Sequence, residues 1–469
     1  MADILDSQKT WDIIIVGGGV VGCAIARRLA LAGATVLVLE KGGDILSGAS
    51  KANSAILHTG FDAPTGTLEH ACIRAGYEEY LNIHERFNLP LWKTSALVAA
   101  WSEDQLQKLP SIVEKAYKNG ITDVYQIDAK EVLTREPYLA NHVKGGVVVP
   151  CEYLIDPWSA PLAYIQQAIL LGASIVRRCA VENGNFDGLI WTLKTSKGNV
   201  KGRTVINCAG LSGDKVEEII HPSPFVIKPR KGQFIVYDKS ASVLLKSILL
   251  PVPTERTKGI VLTRTVFGNL LLGPTAEEQD DRDHPFVDED VLRQLKEQGE
   301  QMLPGLRGET VTAVYAGLRP ATEKPEYRID NYPEKHWICV GGIRSTGLTA
   351  SLGIAQHIEK LLSEHELSSS LKPVAEENVP WFSMPVLDQE GNRDFTRPGY
   401  ESIVCHCELV TKREIIATLN STLPPGDLGG LRRRTRLMMG RCQGFYCSST
   451  IAKMTDERFG LVLGESTHD

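Results

Sequence analysis

The first strong pattern is a continuous apolar run, Asp12-Ile-Ile-Ile-Val16, of the length of a buried strand. Gly17-Gly-Gly19-Val-Val-Gly22 follows at once. Cys23 to Ala32 carries a helical pattern that Gly33 ends, and Thr35-Val-Leu-Val-Leu39 is a second apolar strand closing on Glu40. The order strand, glycine turn, helix, strand predicts a βαβ unit. Two later segments predict returns to the same sheet. One is Arg203-Thr-Val-Ile-Asn-Cys-Ala-Gly210. The other is His336-Trp-Ile-Cys-Val-Gly341-Gly342, which leads through Ile-Arg344-Ser345-Thr346-Gly347-Leu-Thr349 into a helix ending near Leu362. Gln233-Phe-Ile-Val-Tyr237 and Gly259-Ile-Val-Leu262 alternate or run apolar over short stretches and predict strands of a mostly antiparallel sheet. Ser363 to about Arg397 is polar, is punctuated by Pro373, Pro380 and Pro385 with Pro398 just beyond, and predicts a linker. The chain carries no internal repeat and no low-complexity tract.

The glycine turn sits where a dinucleotide needs it. Gly17 permits the tight turn, Gly19 lets backbone approach a pyrophosphate, and Gly22 lets helix and strand pack closely. The helix start then offers free N–H groups to phosphates. Glu40, 18 positions after Gly22, can accept from ribose hydroxyls, and its charge disfavours a 2′-phosphate. The turn alone does not separate FAD from NAD.

At 469 residues the chain is long enough for two or three domains. Its 43% hydrophobic and 23% charged content is that of an ordinary globular protein. A formal net charge of -6 leaves no basic footprint for nucleic acid. No apolar run approaches the roughly 20 residues of a membrane helix. Met1 to Trp11 is too polar for a signal peptide. The expected compartment is the cytosol, with attachment to the inner face of a membrane left to a partner. Of ten cysteines, six (Cys23, Cys72, Cys151, Cys179, Cys208, Cys339) are scattered and read as small buried hydrophobes.

Six motifs in order give the segment from Trp11 to about Leu362 a specific resemblance. They are Ser50-Lys-Ala-Asn53-Ser54-Ala-Ile-Leu-His58-Thr-Gly60, Ile155-Asp156-Pro157, Arg230-Lys231-Gly232-Gln233, Gly273-Pro-Thr275, Gly317-Leu-Arg319-Pro320 and Gly341-Gly-Ile-Arg-Ser-Thr-Gly-Leu-Thr349. Together they resemble the glycine oxidase and D-amino-acid oxidase superfamily of FAD enzymes, and within it the glycerol-3-phosphate dehydrogenases and oxidases, with L-2-hydroxyglutarate oxidases next. Thr346 departs from the proline common at that position. The resemblance implies FAD, with Gly17, Gly19, Gly22, Glu40, Lys41, Ser50, Asn53, Ser54, Ala209, Gly210, Gly342, Arg344, Ser345, Gly347, Leu348 and Thr349 around it. The helix after Gly342 would face the flavin pyrimidine, whose reduced form is anionic and is favoured by a helix N-terminus.

Oxidising a secondary alcohol needs a base and a hydride acceptor. His58 is the candidate base, since an imidazole suits proton transfer near neutrality; the alternative is a structural histidine bonded to a carbonyl. Arg319 resembles the arginine that binds substrate anions, and its planar fork suits phosphate or carboxylate; the alternative is a salt bridge between sheet and loop. Lys258 rests on resemblance alone, and Arg344 is a further cation candidate.

Cys405-His-Cys407 and Cys442-Gln-Gly-Phe-Tyr-Cys447 lie 34 residues apart. Two close pairs bridged by one loop can converge on a metal, and four thiolates suit zinc or an iron–sulfur cluster. The spacing resembles the [2Fe-2S] domain of the bacterioferritin-associated ferredoxin type, which follows the FAD part in the large subunit of anaerobic glycerol-3-phosphate dehydrogenase. Zinc and four unligated cysteines stay open as alternatives. His406 stands where arginine is common. The basic run Leu431-Arg-Arg-Arg-Thr-Arg436 reads first as a solvated helix face, with a second use beside an anionic cluster.

The expected fold class is α/β plus α+β. A Rossmann-like FAD-binding domain (1–90, 145–225 and 312–365) would carry an antiparallel-sheet substrate cap (91–144 and 226–311). A linker (366–399) would lead to a small helical iron–sulfur domain (400–465). The expected activity is oxidation of sn-glycerol 3-phosphate, with electrons leaving through the cluster to a partner subunit or quinone pool. The alternatives are a 2-hydroxyacid dehydrogenase, chiefly for L-2-hydroxyglutarate, and a non-catalytic redox module.

Overall fold

The computed structural model describes residues 5–253, 259–365, 371–456 and 458–459. The wholly apolar runs become the centre of a parallel sheet, because only a strand covered on both faces can be apolar throughout. Thr10–Val16 lies between Val36–Leu39 and Gly198–Asn207. Ser174–Val176 extends one side, and Trp337–Gly341 joins the other. All five are parallel. Arg328–Tyr332 closes the far edge antiparallel, and the hairpin Val181–Phe186 with Trp191–Thr195 hangs on the start of Gly198–Asn207. From the first strand the chain goes to one side for its second strand and later to the other side. The C-terminal end of Thr10–Val16 is therefore a topological switch point, where such sheets open a crevice.

Helices Val20–Leu31, Ser159–Leu170 and Gly347–Leu362 pack together, with Leu68–Ile83 against the last of them. Their apolar faces and the sheet share one core, in which Ile13, Ile15, Ile25, Leu29, Tyr164 and Ile354 are fully enclosed.

A nine-stranded sheet forms the second layer. Its order is Glu277–Glu278, Ile227–Tyr237, Leu270–Gly273, Val261–Arg264, Ile248–Pro251, Ala96–Ala100, Gly145–Val149, Tyr125–Asp128, with Val311–Thr322 also on Ile227–Tyr237. It is antiparallel except where Ile248–Pro251 runs parallel to Ala96–Ala100. Gly145–Val149 and Val311–Thr322 were expected with the dinucleotide sheet but pair here. A strand's pattern records that it is buried, not which sheet buries it.

Residues 371–399 carry only two short helical turns, Glu376–Asn378 and Asp394–Thr396, yet they are no loose tether. Val374 N–H donates to Leu31 O, Met384 N–H to Phe87 O and Gln389 N–H to Val266 O. Trp381 packs tilted and Phe382 edge-on against Phe87, with ring centroids 4.7 and 5.4 Å apart. The segment straps both layers, and its prolines fix extended backbone. Beyond it Ile403–Cys405 pairs with Val410–Thr411, and helices Lys412–Leu419, Leu428–Thr435 and Ser448–Thr455 enclose a separate small core. Among the described residues no helix is long and apolar enough to cross a membrane.

Candidate active site

The crevice at the switch point is a cavity of about 550 Å³. Its wall contains Gly17, Gly19, Glu40, Lys41, Ser50, Asn53, Ser54, Ala209, Gly210, Gly342, Arg344, Ser345, Gly347, Leu348 and Arg319. Gly22 and Thr349 stand behind it. Gly17 has φ +114° and leaves no room for a side chain: a Cβ would lie 2.4 Å from Cys208 O. A Cβ at Gly22 would lie 2.0 Å from Gly17 O, so helix and turn touch only because residue 22 is glycine.

The helix Val20–Leu31 has no cap from its own first residues. Ser50 Oγ accepts from Val20 N–H at 3.0 Å instead, placing a hydroxyl at the positive end of the helix. Glu40 accepts from Gly18 N–H at 2.7 Å and from Gly42 N–H at 2.6 Å. Burial raises its pKa, against the two amide bonds that favour the charge. Glu40 thus braces the turn as well as lining the cavity. Asn53 Oδ1 accepts from Ala55 N–H and its amide donates to Ser50 O, which shapes the loop. Lys41 sits at the exposed rim, 3.3 Å from Asp283.

Arg319 is half-buried in the cavity wall. Its Nη2 donates to Thr275 O at 2.6 Å and Lys231 O at 3.0 Å, and its Nε to Arg230 O at 3.3 Å. Among the described residues no carboxylate pairs with it, so the salt-bridge alternative fails. Burial pulls its pKa down to about 10, with the nearby Arg230 charge adding to the effect, and it stays protonated at neutral pH. The Glu277 charge works the other way, but no carboxylate is in ion-pair contact among the described residues, and a cation held so is what an anionic ligand needs. Lys258, also expected here, lies outside the described residues.

His58 is not in the wall. Its backbone N–H donates to Thr349 Oγ1 at 3.0 Å, and Thr349 adjoins Leu348 of the wall. Thr349 Oγ1 also donates to Ile56 O, so this side chain is tied to the His58 strand. His58 Nδ1 lies 2.9 Å from Glu152 Oε2, and the imidazole stays a quarter exposed while Glu152 is fully buried. The carbonyl partner of the alternative reading is replaced by a carboxylate. The sequence reading missed Glu152.

It also missed what replaces the proline at 346. Thr346 is buried and donates to Glu69 Oε1 at 2.9 Å, with its hydroxyl 2.6 Å from Tyr327 Oη. Arg344 reaches Glu69 Oε2 at 3.3 Å. Hydrogen bonds hold this turn, where Thr346 departs from the proline of the resembled families. Arg344 is thereby a paired cation, unlike Arg319.

The four C-terminal cysteines meet across the two segments, Cys407 with Cys442 and Cys405 with Cys447. Burial and the adjoining Cys405 push Cys447 up to about 12, and burial raises Cys407. Cys442 is lowered, first by the Tyr446 N–H and then by Cys407 and the Gly444 and Phe445 N–H groups. Amides aimed at a sulfur are what a cluster-holding loop supplies. Among the described residues, however, no three His, Cys, Asp or Glu side chains converge as metal ligands. The donor set fits a tetrathiolate group in chemistry, and the structure holds it as two pairs. Five of the scattered cysteines are buried as expected, and Cys151 is half-buried beside Asp123.

The basic run is not a solvated face. Arg434 is buried and forks onto the fully buried Asp44, in the loop after Glu40, where Arg177 also arrives. Arg436 pairs with buried Glu408 at 3.0 Å, lies 4.0 Å over the Phe267 ring and donates to Asn269. Charge patterning could not show this, because the carboxylate that receives Arg434 lies 390 residues away. A Cβ at Gly430 would lie 1.6 Å from Asp44 Oδ2, so the helix carrying the run touches the loop through glycine.

Comparison with known proteins agrees with this geometry. The family model DAO, FAD dependent oxidoreductase, matches residues 12–361. A glycerol 3-phosphate dehydrogenase of Caloramator mitchellensis is 28% identical over 464 residues, covering 98% of this chain and 96% of that protein. A glycerol 3-phosphate oxidase of Mycoplasma pneumoniae is 29% identical over 80% of this chain and 100% of its own length. The solved, dithionite-reduced L-alpha-glycerophosphate oxidase of that organism, with FAD bound, superposes with TM-score 0.73 at 27% identity, covering 81% of this chain and all of its own.

Proposed function

This chain belongs to the DAO family of FAD dependent oxidoreductases, and on that premise we propose that it oxidises sn-glycerol 3-phosphate to dihydroxyacetone phosphate. The observation that carries the proposal is Arg319, a half-buried guanidinium with no carboxylate partner among the described residues, in the wall of the cavity that the glycine turn opens. Its fork takes the phosphate and fixes the substrate's orientation. His58 takes the hydroxyl proton at Nε2, since Nδ1 is engaged by Glu152. Gly17, Gly19 and the start of helix Val20–Leu31 would hold the pyrophosphate of the cofactor. FAD, when bound, supplies the hydride acceptor.

Cys405, Cys407, Cys442 and Cys447 would hold a [2Fe-2S] cluster, which when bound supplies one-electron chemistry. The cross-segment thiol pairs and the amides at Cys442 support this assignment. So does the extent of the relatives: the dehydrogenase runs beside nearly the whole chain, while the oxidase needs only four-fifths of it. On this reading the acceptor is a partner subunit or a quinone, and any membrane contact comes through it.

The test is anaerobic mixing of the purified holoprotein with sn-glycerol 3-phosphate and, separately, L-2-hydroxyglutarate. Bleaching of the oxidised flavin band by the phosphate ester is expected. Bleaching by the hydroxyacid alone overturns the substrate assignment, and bleaching by neither overturns the activity. Iron and acid-labile sulfide are measured on the same sample; zinc without sulfide removes the cluster.

A further inference from the structure

We infer that Glu152 is the positioning residue for His58, holding the imidazole with its proton on Nδ1 so that Nε2 is the free base. The inference rests on the reading of His58 as the proton acceptor and adds the group that sets its tautomer.

The placement starts from strand register. Ile56–Leu57 pairs antiparallel with Tyr153–Ile155, Ile56 opposite Leu154 and Leu57 opposite Tyr153. One step further along the same register brings His58 opposite Glu152. Glu152 is fully buried. Its Oε1 accepts from Thr59 N–H at 2.6 Å and Thr59 Oγ1–H at 2.7 Å, and its Oε2 faces His58 Nδ1 at 2.9 Å. Three donors thus face the two oxygens, the number that a carboxylate's lone pairs can accept. An anionic carboxylate can only accept hydrogen bonds, so Nδ1 must be the nitrogen that carries hydrogen. In the neutral ring Nε2 then has the lone pair. The backbone N–H of His58 is tied to Thr349, so the ring is held from both sides. As the ring takes a proton its positive charge develops 2.9 Å from a buried anion, which favours the transfer. Among the described residues Tyr77 and Cys151 also feel the Glu152 charge, and Arg74 reaches Thr59 O at 3.4 Å. None of them bonds to the carboxylate. A structural brace for Thr59 would use Oε1 alone; the second oxygen is spent on the imidazole.

The test compares Glu152→Gln, Glu152→Asp, His58→Gln and the double variant Glu152→Gln/His58→Gln as full-length holoproteins. Glutamine can still accept from Thr59, but its amide donates toward Nδ1 and drives the hydrogen to Nε2. Flavin reduction by sn-glycerol 3-phosphate under anaerobic stopped flow is expected to slow on the order of 10²-fold or more in Glu152→Gln, the scale of a lost general base. The rate limb that titrates with the base should vanish from its pH profile, and Glu152→Asp should recover part of the rate. The double variant should be no slower than His58→Gln, since the two act as one unit. A readout independent of turnover is the ¹⁵N spectrum of the histidine rings, with His58 assigned by its loss in His58→Gln. Wild type should show the Nδ1–H form and Glu152→Gln the Nε2–H form.

A Glu152→Gln rate within about threefold of wild type, or an unchanged His58 tautomer, overturns the inference. If Glu152→Gln fails to fold, the wild-type tautomer decides: Nε2–H in wild type overturns the inference as well. If His58→Gln reduces the flavin at the wild-type rate, His58 is not the base, and the parent reading fails visibly before Glu152 is in question.

Discussion

At the scale of the residue, Arg319 is the most exacting case. Three backbone carbonyls hold its guanidinium, and no carboxylate neutralises it among the described residues. Arg319→Met keeps much of the bulk and removes the charge. Losing a hydrogen-bonded charge contact of about 2 kcal/mol should raise the KM for sn-glycerol 3-phosphate roughly 30-fold. FAD content, read from the visible absorbance, should stay unchanged. Equal KM values would show that the anion is held elsewhere. Arg319 was legible because its motif, Gly-Leu-Arg-Pro, is local. Glu152 was not, because nothing near Cys151-Glu-Tyr marks it, and its role exists only through the pairing with Ile56–Leu57. Thr346 shows a third situation. The departure from proline was visible, and the compensation through Glu69 and Tyr327 was not.

At the scale of the element, the βαβ unit is where chain and fold agree most closely. The expected helix Cys23 to Ala32 forms as Val20–Leu31, and the expected strands form as Thr10–Val16 and Val36–Leu39. The helix begins earlier than its apolar pattern because Ser50 caps it from a distant loop. Gly22 decides whether helix and turn can meet. In Gly22→Ala the added methyl would lie 2.0 Å from Gly17 O, a backbone atom that cannot swing aside. The helix start must then shift away from the pyrophosphate. The variant should purify with most of its FAD lost, measured as the ratio of flavin to protein absorbance. Full FAD occupancy would mean that the turn relaxes without cost to the site.

At the scale of the whole molecule, the C-terminal module is bolted to the rest by buried ion pairs. Burial works against charge on Asp44, but Arg434, with Arg177 and Arg433, more than offsets it and holds the carboxyl below its ordinary value. Asp44→Ala would leave the buried guanidinium of Arg434 without its carboxylate, and breaking such a pair costs about 3–5 kcal/mol. Limited proteolysis should then cut within or just after residues 371–399 well before wild type is cut. Because the folded pKa of Asp44 is the lower one, its contribution is complete above the unfolded carboxylate value of about 3.9 and is lost only as pH falls through the folded value. Wild-type module docking should therefore be unchanged between pH 7 and pH 5 in the same proteolysis assay. Release within that interval would mean that another group governs it.

The sequence by itself determined what depends on near neighbours in the chain. The glycine turn between two apolar strands, the helix that Gly33 ends, the spacing of the four cysteines and the motif that carries Arg319 are all local, since a turn or a strand period involves only a few successive residues. Tertiary structure alone decided the rest. It placed Gly145–Val149 and Val311–Thr322 in the second sheet, made a strap of the proline-punctuated segment, turned the arginine run inward onto Asp44 and set Glu152 against His58. Each of these depends on a partner tens to hundreds of positions away. A buried charge or a paired strand looks the same in the chain whichever partner it meets; only packing, which makes an unpaired buried charge or backbone group costly, selects the one.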